Sequence, residues 1–61
     1  MESIKEILIR RDNMTEKEAR KLILEAKNQL QEYLDDEDLE SAYDICNEYF
    51  GLEPDYIMEL I

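Results

Sequence analysis

Carboxylates are the side chains of this sequence that are best placed to bind or react. Glu40, Asp44 and Glu48 recur every four residues, which in a helix places them on one face about 6 Å apart along the axis. Four further acids, Asp35 to Asp38, come just before them. Such groups can bind metal ions, act as acid and base in catalysis, or present negative charge to a basic partner. Their surroundings in the sequence decide among these uses.

Metal binding is not predicted. A calcium loop of the EF-hand type requires a glycine at its sixth position and a bidentate glutamate at its twelfth. Counted from Asp36, the sixth residue is Ser41 and the twelfth is Asn47. The chain has no histidine and one cysteine, which excludes a zinc site. We therefore predict neither a metal nor a cofactor.

Catalysis is not predicted either. Carboxylate pairs need a pocket that shields them from water, and 61 residues leave little room for one. Cys46 lies in a predicted apolar stripe, where it serves as a small buried hydrophobe. A reactive thiol needs positive charge nearby, whereas its neighbours Asp44 and Glu48 are negative. We predict a protein that is not an enzyme and has no catalytic residues.

The charges are divided unevenly along the chain, whose net charge is −10. All seven basic residues lie within residues 1–31, where six acids oppose them, so this half sums to about +1. Residues 32–61 contain eleven acids and no lysine or arginine, which gives about −11. Two interpretations stay open: the acidic half is a solvated face, or it docks on a basic surface of a partner protein, of the kind that binds nucleic acid.

The composition indicates one soluble, folded domain over residues 1–61. With 44% hydrophobic and 39% charged residues the chain is too apolar to be disordered, and no apolar run approaches the roughly 18 residues of a membrane span. The start, "MESIKEILIRRD", shows no secretory signal, and a single cysteine agrees with a reducing compartment. We expect a cytoplasmic protein.

Apolar residues recur at spacings of three and four, which predicts an all-α fold, a small bundle of three main helices plus a short C-terminal helix. The helices are predicted near residues 3–11, 16–34, 37–50 and 54–60. Ser3 is the N-cap of the first, and Thr15 with Glu18 forms a capping box at the start of the second. The residues predicted to be buried are Leu22, Ile23, Ala26, Leu30, Leu39, Tyr43, Cys46, Phe50, Ile57 and Leu60.

The stretch "FGLEPDYIMEL" contains the only glycine and the only proline of the chain. Gly51 suits the left-handed residue that ends many helices, so we predict a positive φ there. Pro54 suits the first turn of the following helix, because its missing N–H would have no partner at that position. The stretch is thus a corner between two helices.

From Tyr43 to Ile61 the chain resembles the helix-turn-helix unit of bacterial regulators. The buried positions of that family fall on Cys46, Phe50, Leu52, Ile57 and Leu60, which are all apolar here. Asn47 stands where the family has a small residue. The segment that would enter the major groove offers Glu53, Asp55 and Glu59 and no cation, so phosphates would repel it. The resemblance therefore implies the shape of the corner, and direct DNA binding is not expected.

In size, charge and the phrases "RRDNMTEKEAR" and "EYFGLEPDYI", the chain is also similar to short acidic proteins of prophages and mobile elements. That resemblance implies no catalytic residues. An alternative function is that of a helix-turn-helix regulator that binds DNA as an oligomer. Its phosphate contacts would then be Arg10, Arg11, Arg20 and Lys21.

Some large apolar residues lie off the predicted stripes, namely Ile9, Leu24, Ile45 and Met58. Gathered into a patch, such residues mark an interface, and a short chain often completes its core by oligomerising. We therefore predict that acids steer a protein–protein contact and that off-stripe apolar residues anchor it. The predicted partner-binding residues are Asp35, Asp36, Glu37, Asp38, Glu40, Asp44, Glu48, Leu24 and Ile45. The partner is a basic protein surface, and a homo-oligomer is a further possibility.

Overall fold

The computed structural model describes residues 2–61, and its regular structure in that range is helical, without a strand. The elements are α1 (Ile4–Asp12), α2 (Glu16–Asp35), α3 (Leu39–Tyr43), α4 (Ile45–Phe50) and a C-terminal 3₁₀ helix (Pro54–Glu59). The predicted all-α class is confirmed. Within residues 2–61 there is no helix with both the length and the apolar character that crossing a membrane requires.

Side-chain caps set the starts of the first two helices. Ser3 Oγ accepts a hydrogen bond from the Glu6 N–H at 3.2 Å. At α2, Thr15 Oγ1 accepts from the Glu18 N–H at 3.1 Å, and Glu18 Oε1 accepts from the Thr15 N–H at 3.0 Å. These bonds with the backbone and side chain of Thr15 hold the pKa of Glu18 below its ordinary value. The predicted cap and capping box are confirmed.

The central element is α2, which packs against α1, α3 and α4, while α4 also packs against the 3₁₀ helix. Its inner face carries Ala19 and Ala26, which have no exposed surface and allow neighbouring helices to approach closely. The core is formed by Ile4, Leu8, Ala19, Ala26, Leu30, Ala42, Ile45, Cys46, Phe50 and Leu60. Burial is thus confirmed at five predicted positions, Ala26, Leu30, Cys46, Phe50 and Leu60, whereas Leu22, Ile23 and Ile57 are half-buried.

The predicted third helix, residues 37–50, is interrupted. It begins two residues later than expected, because Glu37 has a positive φ and Asp38 is the N-cap, accepting from the Ser41 N–H at 3.3 Å. It then breaks at Asp44, whose φ of −90° and ψ of 1° depart from helical values. Two short helices, α3 and α4, replace the single one.

The buried face of residues 39–50 also differs from the prediction. Leu39 and Tyr43, which were predicted to be buried, are 66% and 64% exposed, and Ile45, predicted to lie outside, has no exposed surface. The inward face consists of Ala42, Ile45, Cys46, Tyr49 and Phe50. The prediction was wrong because it chose the other of two overlapping apolar stripes, the one that contains Leu39 and Tyr43 and leaves Ile45 outside.

The corner after α4 has the predicted form. Gly51 has a φ of 66°, and its N–H donates to the Asn47 carbonyl at 3.0 Å, while the Leu52 N–H donates to the Cys46 carbonyl at 3.1 Å. Pro54 lies in the first turn of the next helix. That helix has six residues and is of the 3₁₀ type, which is tighter than the helix expected for residues 54–60.

Two contacts join α1 to the C-terminal part of the chain. The Arg11 guanidinium donates to the Phe50 carbonyl at the end of α4. The Ile4 N–H, at the start of α1, donates to Glu59 Oε1 at 3.0 Å. Both contacts use backbone groups that helix ends leave without partners, and both place a charge of the favourable sign at a helix end.

The turn between α2 and α3 contains a strained residue. Glu37 has a φ of 58°, in the left-handed region that is unfavourable for a residue with a side chain. Its N–H donates to the Leu34 carbonyl at 3.1 Å, and the Asp38 N–H donates to the Tyr33 carbonyl at 2.8 Å. This pair of bonds completes the end of α2 in the arrangement for which glycine is the usual residue.

Replacement of Glu37 by glycine is expected to raise the free energy of unfolding by about 1 kcal/mol, because glycine adopts a positive φ without steric cost. For a domain of this size the thermal midpoint rises by about 4–8 °C, measured by circular dichroism. The matched control is Glu37→Gln, which removes the same charge but keeps the Cβ. Equal midpoints for the two variants would show that Glu37 is not strained.

Candidate interaction surface

The short helix α3 exposes two large apolar side chains among carboxylates. Leu39 and Tyr43 are one turn apart, with Cβ atoms about 5–6 Å from each other, and each is about two-thirds exposed. Glu40 and Asp44 lie beside them and are exposed as well. We name this set, together with the exposed Glu48 one turn farther along, the α3 surface, and its residues are Asp35, Asp36, Glu37, Asp38, Leu39, Glu40, Tyr43, Asp44 and Glu48.

The predicted row of Glu40, Asp44 and Glu48 persists across the break in the helix. The Asp44 N–H donates to the Glu40 carbonyl at 3.2 Å, and the Glu48 N–H donates to the Asp44 carbonyl at 3.0 Å. Helical spacing is therefore kept, and each exposed carboxylate lies about one turn from the next. Glu48 Oε2 also accepts from the Tyr33 hydroxyl at 3.4 Å. Loss of water contact, together with the charge of Glu48, raises the pKa of Tyr33.

The four acids of the turn are exposed, and several also have a local structural role. Asp35 is the last residue of α2 and accepts from Gln31 Nε2 at 3.1 Å. Asp36 donates its N–H to the carbonyl of Glu32 at 3.0 Å, which extends the last turn of α2. Asp38 caps α3. These hydrogen bonds fix the conformation of the turn, which keeps its negative charges close to Leu39.

The structure separates the two predicted apolar anchors. Leu24 is 58% exposed on the outer face of α2, about 16 Å along the helix axis from Asp35. Ile45 lies in the core, so the prediction that it contacts a partner is wrong. Leu39 and Tyr43 are the exposed residues that sequence reasoning missed. The sequence did contain a pattern that predicts their exposure. The spacing i, i+3, i+4, i+7, i+8 of one buried face is also followed by Ala42, Ile45, Cys46, Tyr49 and Phe50, and this face leaves Leu39 and Tyr43 outside.

The ion pairs of the described residues are confined to the first part of the chain. They are Lys5–Glu16 (3.4 Å), Arg10–Glu2 (2.7 Å), Arg11–Asp12 (2.8 Å) and Arg20–Glu16 (2.9 Å). Three cations of the alternative DNA-binding hypothesis, Arg10, Arg11 and Arg20, therefore already have carboxylate partners. Within residues 2–61, no acid of the second half is paired with a lysine or arginine. The negative charge of the α3 surface is thus left without a cation partner among the described residues.

Other kinds of site are poorly supported by the described part of the chain. Two surface depressions along α2, one of which includes Lys17 and Arg20 and the other Met14 and Lys21, are shallow and open to solvent. Cys46 has no exposed surface, and burial, with a contribution from the charge of Glu59, raises the pKa of its thiol. Within residues 2–61 no three side chains of the metal-binding types converge.

The distribution of charge has a consequence for stability. The acids of the turn and of α3 repel one another, and only part of this repulsion is offset by the favourable end of the α3 dipole. Since none of them has a cation partner among the described residues, added salt mainly screens repulsion.

We therefore expect the thermal midpoint to rise between low and moderate ionic strength, measured by circular dichroism in sodium chloride. Glucose at matched osmolality, which is uncharged, serves as the control. A midpoint that falls with salt would mean that the four ion pairs of the first part outweigh the repulsion.

Fold and surface together define a small all-α protein with an exposed patch that is both acidic and apolar. Comparison with protein-family models, with curated proteins and with solved structures found no match to this chain.

Proposed function

We propose that this protein acts by protein–protein contact, in which the α3 surface docks on a basic site of a partner protein. The observation that carries the proposal is the exposure of Leu39 and Tyr43 within a group of carboxylates that have no cation partner in residues 2–61. A single exposed apolar side chain is common. Two at helical spacing, one of them a tyrosine, form the kind of anchor on which interfaces depend.

The charge of the surface defines the chemistry of the partner. Acids of the turn and of α3 lie within one or two helical turns of Leu39, a separation comparable to the Debye length of about 8 Å at physiological salt. They therefore act together on an approaching surface. The matching partner presents lysines and arginines around an apolar depression, which is the composition of a protein surface that binds phosphate groups.

The test is capture of proteins from an extract of the source cell by the immobilised chain. Glu40→Gln, Asp44→Gln and Glu48→Gln are combined in one variant, the α3 variant. The matched control combines Glu25→Gln, Glu53→Gln and Asp55→Gln, which remove the same charge at exposed positions outside the α3 surface. A basic protein that wild type and control retain, and that the α3 variant loses, supports the proposal. Equal retention by all three rejects it.

A further inference from the structure

The outer face of α2 has the opposite character to the α3 surface. At 100° per residue, four basic residues lie within about 60° of Leu24, on the side of α2 opposite the buried Ala19 and Ala26. All of them are exposed, and no acid of residues 16–28 falls within the same arc. We name this set the α2 face, and its residues are Lys17, Arg20, Lys21, Leu24 and Lys27.

The α2 face also has unused binding capacity. Within residues 2–61, Lys17, Lys21 and Lys27 form no ion pair, and Arg20 is paired only with Glu16 on its own helix. Leu24, at the centre of the arc, is 58% exposed. Each of the two surfaces thus consists of an exposed apolar centre surrounded by charges of one sign, and the signs are opposite.

We infer that the α2 face binds the α3 surface of a second copy of this chain. Such a contact packs Leu24 against Leu39 and Tyr43. It also places Lys17, Lys21 and Lys27 opposite carboxylates of the α3 surface, and neither group has an ion-pair partner within residues 2–61. The two surfaces therefore complement each other in charge, and each covers the exposed apolar centre of the other.

The contact must form between chains. Leu24 lies about 16 Å along α2 from Asp35, and both surfaces point outward, so one molecule cannot bring them together. In a symmetric pair each copy supplies both surfaces, and the contact forms twice. The net charge of −10 opposes association, but charges farther apart than about 8 Å are largely screened at physiological salt, so the facing charges dominate.

The self-contact and the proposed basic partner use the same α3 surface, and they therefore exclude each other. Self-association does not require the partner to exist. The two ideas can accordingly fail separately: loss of self-association leaves the proposed function intact, and absence of a partner leaves self-association intact.

The test is sedimentation velocity of the whole chain over a range of concentrations at physiological salt. Lys17→Glu with Lys21→Glu reverses the α2 face, and Glu40→Lys with Asp44→Lys reverses the α3 surface. Wild type is expected to associate, and each double variant to associate at least tenfold more weakly. An equimolar mixture of the two is expected to regain association, because the reversed surfaces match each other. A monomeric wild type, or a mixture no better than its parts, overturns the inference.

A second pair of variants tests the apolar part of the contact without changing any charge. Leu24→Gln takes away the apolar centre of the α2 face, and Met58→Gln makes the same exchange at a residue that is 74% exposed on the 3₁₀ helix. Association is expected to weaken at least tenfold in the first variant and to stay unchanged in the second. Equal association of the two variants would overturn the inference, because Leu24 would then not be part of the contact.

In the capture experiment, the variant with Lys17→Glu and Lys21→Glu is expected to bind a basic partner at least as well as wild type.

Discussion

Replacement of Ile45 by alanine is expected to lower the free energy of unfolding by about 2–4 kcal/mol, measured by urea denaturation. The side chain has no exposed surface and packs in the core with Ala42, Cys46 and Phe50, so truncation leaves a cavity. A domain of 61 residues is expected to have about 3–9 kcal/mol of stability in all. The substitution therefore removes a large part of it, and the variant is expected to be partly unfolded at 37 °C.

The matched control is Leu39→Ala, at a position that the sequence pattern predicted to be buried instead. Because Leu39 is 66% exposed, its truncation is expected to change stability by less than about 0.5 kcal/mol. Ile45→Val, which removes one methylene group, is expected to cost about 0.5–1.5 kcal/mol and gives a measurable value even if the alanine variant does not fold. A larger loss for Leu39→Ala than for Ile45→Ala would contradict the burial of Ile45 and the exposure of Leu39.

Features that depend on neighbouring residues were predicted well from the sequence. The capping box of Thr15 and Glu18, and the helix end at Gly51, use hydrogen bonds that span six residues at most. Residue type at such positions is closely tied to backbone conformation, as with glycine at a positive φ. The burial of Ala26 and Leu30 on α2 was also predicted correctly, because a helix of twenty residues contains many repeats of the helical period.

Features that depend on distant parts of the chain were not predicted. The hydrogen bond from Ile4 to Glu59 joins residues 55 positions apart, and the bond from Arg11 to Phe50 joins residues 39 positions apart. No local sequence pattern predicts either bond. The choice of the buried face on α3 and α4 is of the same kind. Two overlapping stripes fit residues 39–50, rotated by about 50° from each other, and tertiary packing of α4 against α2 selects the one that buries Ile45.

The exposure of the acids of the candidate surface was predicted from the sequence, whereas the exposure of Leu39 and Tyr43 was not. Solvent exposure of Glu40, Asp44 and Glu48 follows from residue type alone, because carboxylates are seldom buried without a partner. The exposure of Leu39 and Tyr43 depends on the rotation of a five-residue helix. Such a short element has too few turns for the pattern to fix its inward face.

The combined substitution of Glu40, Asp44 and Glu48 by glutamine is expected to slow association with a basic partner about tenfold or more at low salt. Exposed charges act mainly on the rate of encounter, where steering contributes roughly 10–1,000-fold. Glutamine keeps the helices intact, because its helical propensity equals or exceeds that of the acids. The partner for this measurement is the protein recovered by capture, and rates are followed by stopped flow across a series of salt concentrations.

Substitution of the apolar anchors is expected to act on the other rate. Leu39→Ala or Tyr43→Ala removes contact area that forms after the surfaces have met, so dissociation becomes faster while the salt dependence of association stays that of wild type. The carboxylates then govern how fast the partner associates, and Leu39 and Tyr43 govern how slowly it dissociates. If the glutamine variant associates at the wild-type rate at every salt concentration, the carboxylates are a solvated face, and Leu39 and Tyr43 alone carry the contact.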